Sequence, residues 1–218
     1  MESEGPALST GRLEAFSDGV FAVAITLLVL NLTVPEVASG GLWNGLQKEW
    51  PRFASYVVSF LVIGIIWVNH HGLFRQIVRV DRILLFFNLI LLMSVVLIPF
   101  STGLLARYIT AGADSHVAAA IYSATMLWMA LSFSLIWSRA VLIRGLLAVP
   151  VPRGQARTAI LRFGVVGTVA YVATVGVAFI SAVACLALHF MLALYYVFDQ
   201  TGTSAVAGRQ TEAREELP

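Results

Sequence analysis

The side chains most able to do chemistry open an apolar segment near the N-terminus, where residues 12–19 read RLEAFSDG. Glu14 and Asp18 are four residues apart, so a helix would place both carboxylates on one face, where like charges repel. An ionised residue at the entrance of a membrane-spanning helix usually faces a partner or a watery cavity, which makes Asp18 a candidate functional residue. The structural alternative is that Ser17 or Asp18 caps the start of the helix by accepting hydrogen bonds from free backbone amides.

Five positions deeper in the same segment share one helical face. These residues are Gly19, Val23, Thr26, Leu27 and Leu30. A stripe of this kind is typical of ordinary helix packing. If several copies of the helix surround an axis, the same stripe forms apolar rings instead, and such rings gate permeation by dewetting. The residues alone leave both interpretations open.

A second polar cluster ends the next apolar segment, where residues 67–71 read WVNHH. At the edge of a membrane these groups need partners, and the charged start of the first segment is expected at the same level. Pairing of His70 with Asp18 or Ser17 follows as one hypothesis, and residence of the Trp and His side chains among lipid headgroups is the other. Asn88, at membrane depth in the third segment, is expected to hydrogen-bond a neighbouring helix. No His and Glu set has the spacing of metal ligands, so no metal site is expected.

The composition indicates the class of protein that must position these residues. Hydrophobic residues make up 59% of the 218-residue chain and charged residues only 12%, whereas a soluble domain carries about 25% charged residues. So few charges cannot cover a globule in water, and the long apolar blocks predict an all-α membrane protein. The basic residues are dispersed, so no nucleic-acid partner is expected. The single cysteine, Cys185, excludes an internal disulfide and a cysteine-built zinc site.

Charge-free intervals predict the spans, since a bilayer core requires about 20 apolar helical residues. The first four are Gly19–Pro35, with a helix that begins near Arg12, then Phe53–Phe74, Ile83–Ala106 and Ser115–Ser138. The interval Phe163–Phe198 would be about 54 Å long as one helix. It is therefore interpreted as a two-helix hairpin that turns near Gly176–Ser181, which gives six transmembrane helices.

The basic residues predict the orientation. With six spans, eleven of them fall on one side and three, Lys48, Arg52 and Arg107, on the other. The larger set belongs in the cytoplasm, together with both termini. Residues 1–11 are expected to form a cytoplasmic arm, 12–199 the transmembrane domain and 200–218 a disordered cytoplasmic tail, with a linker at 149–154. Thirteen arginines against one lysine are typical of a prokaryotic, GC-rich genome, so the expected location is the cell membrane of a prokaryote.

Three short motifs carry a resemblance to a known family. The pattern Arg12-x-x-x-Phe16-Ser17-Asp18 opens the first span, Trp67-x-x-His70 closes the second, and residues 99–102, PFST, lie late in the third. In these motifs and their order the chain resembles the transmembrane protein 175 family of organellar and prokaryotic potassium channels. The resemblance covers spans one to three, and spans four to six agree only in hydropathy.

The resemblance implies a potassium channel fold of its own kind, with six spans per repeat and helix 1 lining a central pore. This chain carries one repeat, so a homotetramer in the lipid bilayer is implied. The constriction would involve Val23, Leu27 and Leu30, with Thr26 and Gly19 lining the conduction path; Val23 is smaller than the isoleucine common in the family. The implied polar network beneath the gate comprises Arg12, Phe16, Ser17, Asp18, Trp67, Asn69 and His70.

The expected mechanism depends on the cost of removing water from ions. No Thr-Val-Gly-Tyr-Gly loop is present, so selectivity by a cage of backbone carbonyls is not expected. An apolar neck would instead favour potassium, because sodium holds its hydration shell more tightly. No cofactor is expected besides the permeant potassium ion. A histidine beside Asp18 also suggests acid-sensitive gating. The alternatives are a proton or non-selective cation leak and a small secondary transporter; an enzyme is not expected, since no Gly-x-Ser-x-Gly or His-Glu-x-x-His motif occurs.

Overall fold

Helices make up the regular structure of the residues that the structure, a computed structural model, describes: 10–143, 145–148 and 167–198. Within these ranges there are seven α-helices. They are α1 Thr10–Leu27, α2 Leu42–Lys48, α3 Trp50–Phe74, α4 Arg82–Tyr108, α5 Ala113–Leu142, α6 Gly167–Ala178 and α7 Ala182–Phe198. A short 3-10 helix, Leu28–Asn31, continues α1.

In the described part of the chain, four helices are long and apolar enough to cross a membrane: α1 with its 3-10 extension, α3, α4 and α5. Each contains most of one predicted span, and the helix class is confirmed. The helices extend beyond the charge-free intervals because a charged residue can continue a helix into the interface, as Arg82 does at the start of α4. Because α1 begins at Thr10, Ser17 and Asp18 lie well inside it. The capping interpretation of these two residues is therefore wrong.

The apolar interval near the C-terminus does break into two helices where the sequence predicts. After α6 the Ser181 amide donates to the Val177 carbonyl at 3.0 Å, which closes the turn. The Ser181 hydroxyl accepts from the Ala184 amide at 3.2 Å and so caps the start of α7. In the described residues α6 has 12 residues and α7 has 17. The predicted linker at 149–154 and the tail at 200–218 lie outside the described residues.

Helices α3, α4 and α5 connect two parts of the bundle, one that contains α1 and one that contains α6 and α7. The antiparallel pair α4 and α5 has the largest contact, and its short connection includes Gly112 with φ of +60°, a conformation that glycine adopts without strain. Helix α1 packs against α3 and α4, whereas α6 packs against α5 and α7. Large buried side chains such as Phe74, Tyr122 and Met126 fill the space between them.

A directed hydrogen-bond chain joins three of these helices in the interior. Thr102 Oγ1 donates to the Ile98 carbonyl at 2.7 Å, so it must accept from Ser59 Oγ, also 2.7 Å away. Ser59 in turn accepts from the Tyr122 hydroxyl at 3.0 Å. All three hydroxyl groups are buried and satisfied, which matters in a bilayer because no water can replace a lost partner.

At the other end of α4, Asp81 ties the α3–α4 connection to the end of α5. One carboxylate oxygen accepts from the Leu84 amide at 2.8 Å, capping α4, and the other accepts from the Arg139 guanidinium at 2.6 and 3.1 Å. Partial burial raises the pKa of Asp81, but the donors at Leu84 and Arg139 outweigh it, so the pKa lies below its usual value. Nearby, the Val78 amide donates to the Leu146 carbonyl at 2.8 Å.

Substitution of Asp81 should separate the cap from the ion pair. Asp81→Asn keeps an acceptor for the Leu84 amide but removes the charge opposite Arg139, at a cost of up to about 1 kcal/mol for a partly exposed pair. Asp81→Ala removes both and should cost about 1 kcal/mol more. Thermal unfolding of the detergent-solubilised protein should therefore rank wild type above Asp81→Asn and Asp81→Ala lowest.

The pH dependence provides the control. Because the folded-state pKa of Asp81 is lowered, its stabilisation is complete above the ordinary carboxyl pKa of about 4 and is lost as pH falls through the lowered value. The gap between wild type and Asp81→Asn should thus close in acid, and Arg139→Gln should match Asp81→Asn at neutral pH. A gap that persists unchanged in strong acid would contradict the ion-pair contribution.

Candidate pore-lining helix and its polar base

Helix α1 has one buried face and one exposed face within the subunit. Its buried side chains recur at helical spacing: Leu13, Ser17, Phe21, Ala24 and, at the 3-10 junction, Leu28. In its apolar stretch only 22% of the residues are buried, against 39–44% in the other three long helices. Among the four long helices of the described residues, α1 is therefore the one that the rest of the structure covers least.

The stripe singled out in the sequence lies on the exposed face. Val23 is 56% exposed, Leu27 39% and Leu30 72%, and Gly19 and Thr26 are exposed as well. Packing among the described residues does not account for this stripe. The Thr26 hydroxyl donates back to the carbonyls of Ala22 and Val23, both at 2.9 Å, so its oxygen keeps a lone pair that can accept.

Behind the buried face, a hydrogen-bond chain joins α1 to α4 and α3. The Ser17 hydroxyl donates to the Leu13 carbonyl at 2.9 Å and accepts from Asn88 Nδ2 at 3.0 Å. With its nitrogen so engaged, the Asn88 amide turns Oδ1 towards His70 Nε2 at 2.8 Å, so that ring nitrogen carries the proton. Ser17, Asn88 and His70 are all fully buried or nearly so.

Aromatic rings hold the His70 side chain in place. Its ring stacks on Phe74 with centroids 4.2 Å apart and tilts against Phe21 of α1 at 5.4 Å. Closer to the edge of the subunit, Trp67 Nε1 donates to Asp18 Oδ1 at 2.9 Å. Helices α1 and α3 are thus linked twice, once through Asn88 and once directly.

The structure corrects the predicted partner of His70. The sequence hypothesis pairs His70 with Asp18 or Ser17, but Asn88 lies between His70 and Ser17, and Trp67 holds Asp18. The interhelical bond expected of Asn88 is present, although its role as the central link was missed. Polarity at membrane depth was the available signal, and it did not name the partners.

Three other predicted network residues lie apart from this chain. Arg12 and Phe16 are exposed. The Asn69 side chain points in a different direction from that of His70, because adjacent residues of a helix are rotated by about 100°. It lines a cavity of about 80 Å³ between α3, α5, α6 and α7, shared with Met129, Phe133 and other mostly apolar side chains. The structure therefore does not bring Asn69 to the Ser17–Asn88–His70 chain.

The described part of the chain also contains no group of three or more His, Cys, Asp or Glu side chains able to hold a metal ion. Helix α1 is thus lightly covered and carries an outward apolar stripe, and hydrogen-bonded polar groups at Ser17 and Asp18 hold its N-terminal half. Together with the four long apolar helices, this defines an all-helical, multi-pass membrane protein.

Comparison with known proteins places this membrane protein in a family. Residues 12–99 match the family described as Endosomal/lysosomal potassium channel TMEM175. A potassium channel of Streptomyces collinus is 51% identical over 192 residues, covering 88% of this chain and 93% of the relative. The human endosomal/lysosomal proton channel TMEM175 is 32% identical over 145 residues, covering 62% of this chain and 29% of its own length.

A solved structure agrees with the same assignment. The crystal structure of a lysosomal potassium-selective channel TMEM175 homologue from Chamaesiphon minutus superposes with a TM-score of 0.76 and 36% identity, covering 86% of this chain and 96% of that one. The chain belongs to the TMEM175 family, which confirms the resemblance seen in its sequence motifs. The family is one of ion channels rather than enzymes.

The Asn88 link can be tested by stability. Asn88→Leu leaves the His70 N–H buried without an acceptor and should cost about 1–3 kcal/mol, because the penalty of an unsatisfied buried donor exceeds the net gain of the bond. Thermal unfolding should show this loss. Replacing both partners, in His70→Phe with Asn88→Leu, should recover part of it. A double variant no more stable than Asn88→Leu would count against the assignment.

Proposed function

We propose that the protein is the subunit of a potassium-permeable, modestly selective cation channel in which α1 lines a central pore. The observation that carries the proposal is the outward stripe of α1, on the face turned away from α3 and α4. Because the chain belongs to a family of ion channels, we expect the stripe to face a central axis surrounded by copies of α1, rather than lipid alone. The Streptomyces relative, named as a potassium channel, supports the choice of ion.

The assembly that fits this function has four copies of the chain around the axis. Each copy contributes six spans, α1, α3, α4, α5 and the hairpin of α6 and α7, within a channel domain over residues 12–199. Both termini face the cytoplasm of a prokaryotic cell, in the cell membrane. Purified in detergent, the protein should have four times the 23.6 kDa mass of the subunit; a stable monomer or dimer that still conducts would contradict this assembly.

Selectivity would arise from the cost of dehydration at the aliphatic rings of Val23, Leu27 and Leu30. An ion passing an apolar constriction loses water, and sodium holds its shell more tightly than potassium. Between these rings the exposed Thr26 oxygens would offer acceptors that partly replace the lost water. Selectivity would be modest, because no cage of backbone carbonyls surrounds the ion.

A proton channel is the second candidate, since the human relative is named for proton conduction. The two functions differ in their reversal potentials. In planar bilayers that contain the full-length protein, potassium opposite sodium should give a reversal potential displaced towards potassium, at a pH equal on both sides. A current that follows only an imposed pH gradient would support the proton channel and overturn the proposed potassium permeability. A secondary transporter is not favoured, because α4 runs unbroken through Pro99.

Leu27 tests the constriction directly. Leu27→Ala should raise the potassium conductance and move the potassium–sodium reversal potential towards zero, because a wider neck strips less water from either ion. Leu131→Ala, on the exposed face of α5, is the matched control and should leave both unchanged. Unaltered reversal potentials in Leu27→Ala would remove Leu27 from the selectivity-determining region.

Acid-sensitive gating through His70 stays a prediction. The charges of Asp18 and His71 act on the ring, and the Asn88 amide fixes its Nε2–H. His70→Gln keeps a donor for Asn88 but cannot titrate between pH 5 and 8. If His70 senses acid, the pH dependence of open probability should be lost in this variant. The parent's full pH response in His70→Gln would rule out the hypothesis.

A further inference from the structure

The outer end of α1 is held by a contact that the proposed function does not use. Beyond Leu27 the helix tightens into the 3-10 turn Leu28–Asn31, and Asn31 Nδ2 donates to the Pro99 carbonyl of α4 at 2.9 Å. The Pro99 oxygen has two lone pairs, so it can accept this bond in addition to a bond within α4. One end of α1 is thus fixed to α4 through a side-chain amide, at the opposite end from Ser17 and Asn88.

The other half of the Asn31 amide rests against a glycine. A Cβ atom at Gly103 would lie 2.5 Å from Asn31 Oδ1 and 3.2 Å from Asn31 Cγ. Real Cβ atoms essentially never come so close, so a side chain at position 103 would force the Asn31 amide to shift from the position in which it bonds Pro99. The absence of a side chain at Gly103 is therefore a condition for seating Asn31.

The contacts of Asn31 with Pro99 and Gly103 determine where the neighbouring side chain, Leu30, points. Leu30 directly precedes Asn31 and is 72% exposed, the most exposed of the three constriction residues. In a 3-10 turn, residues three apart eclipse one another, so the turn aligns Leu30 with Leu27 on the same face. Rotation or unwinding of the turn would move Leu30 off that face, and the Asn31 bond opposes both motions.

We propose that Asn31, seated between the Pro99 carbonyl and Gly103, is a positioning residue that sets the outermost ring of the constriction through Leu30. The inference rests on the proposed function, because it assumes that α1 faces the conduction path. Asn31 itself is part buried and turned towards α4. Its effect on permeation is exerted through Leu30.

The test compares permeation with stability in the full-length protein. Asn31→Ala removes the bond, and Gly103→Ala displaces Asn31 while leaving it chemically intact. Loss of this one hydrogen bond should change about fivefold the equilibrium constant between two positions of the 3-10 turn, one packed on α4 and one displaced from it. Both variants should therefore change single-channel potassium conductance and the potassium–sodium reversal potential in the same direction. Gly64→Ala on α3, where an added Cβ meets no atom within 4 Å, is the matched control and should conduct as wild type does.

A double variant distinguishes positioning from a general loss of stability. With the amide already removed, the added methyl group has nothing to displace, so Asn31→Ala with Gly103→Ala should conduct like Asn31→Ala alone. Additive changes, or a change in unfolding temperature with wild-type conductance and reversal potential, would overturn the proposal. If Asn31→Ala does not fold, Gly103→Ala against Gly64→Ala decides by the same criterion.

Failure of the two proposals would look different. Without potassium current in the wild-type protein, the proposed function fails. If Leu27→Ala alters selectivity while Asn31→Ala and Gly103→Ala do not, the pore assignment stands and the positioning role of Asn31 fails alone.

Discussion

The hydrogen-bond chain from Ser17 through Asn88 to His70 fixes the rotation of α1 about its own axis. Both polar atoms of the Asn88 side-chain amide are committed, the nitrogen to Ser17 of α1 and the oxygen to His70 of α3, and no water in the hydrocarbon region can replace either bond. Turning α1 by a single residue, about 100°, would break the contact with Ser17 and carry Phe16 or Asp18 into its place, and neither side chain can both accept from Asn88 and donate to Leu13 as the hydroxyl does. The outward direction of the aliphatic stripe therefore follows from a polar contact on the opposite side of the helix.

Packing around this chain reinforces the same rotation. Phe21, one turn beyond Ser17, lies against the His70 ring, while Leu28 is fully buried at the 3-10 junction. Helix α1 contacts only part of the bundle, so most of its surface is left for other partners. Among the described residues, the subunit therefore has a packed interior and one long helix whose outer face is left largely uncovered.

The sequence predicted what depends on length and period, and missed what depends on the rotation of two distant helices. Charge-free intervals located α1, α3, α4 and α5, and excess length located the hairpin turn before Ser181. A 3.6-residue period placed Val23 and Leu27 on one face. The partner of His70 required the rotation of α4, and the seat of Asn31 joins residues 68 positions apart. No local pattern encodes either contact.

The two interior hydrogen-bond chains, one through Ser59 and one through Asn88, have a further consequence for proton movement. Proton hopping requires that each group along a path release one proton as it receives another. The chain through Tyr122, Ser59 and Thr102 ends on the Ile98 carbonyl, and the chain through Asn88 and Ser17 ends on the Leu13 carbonyl. A backbone carbonyl has no proton to pass on. Both chains are dead ends for such a relay, so neither of them can carry a proton through the described part of the subunit.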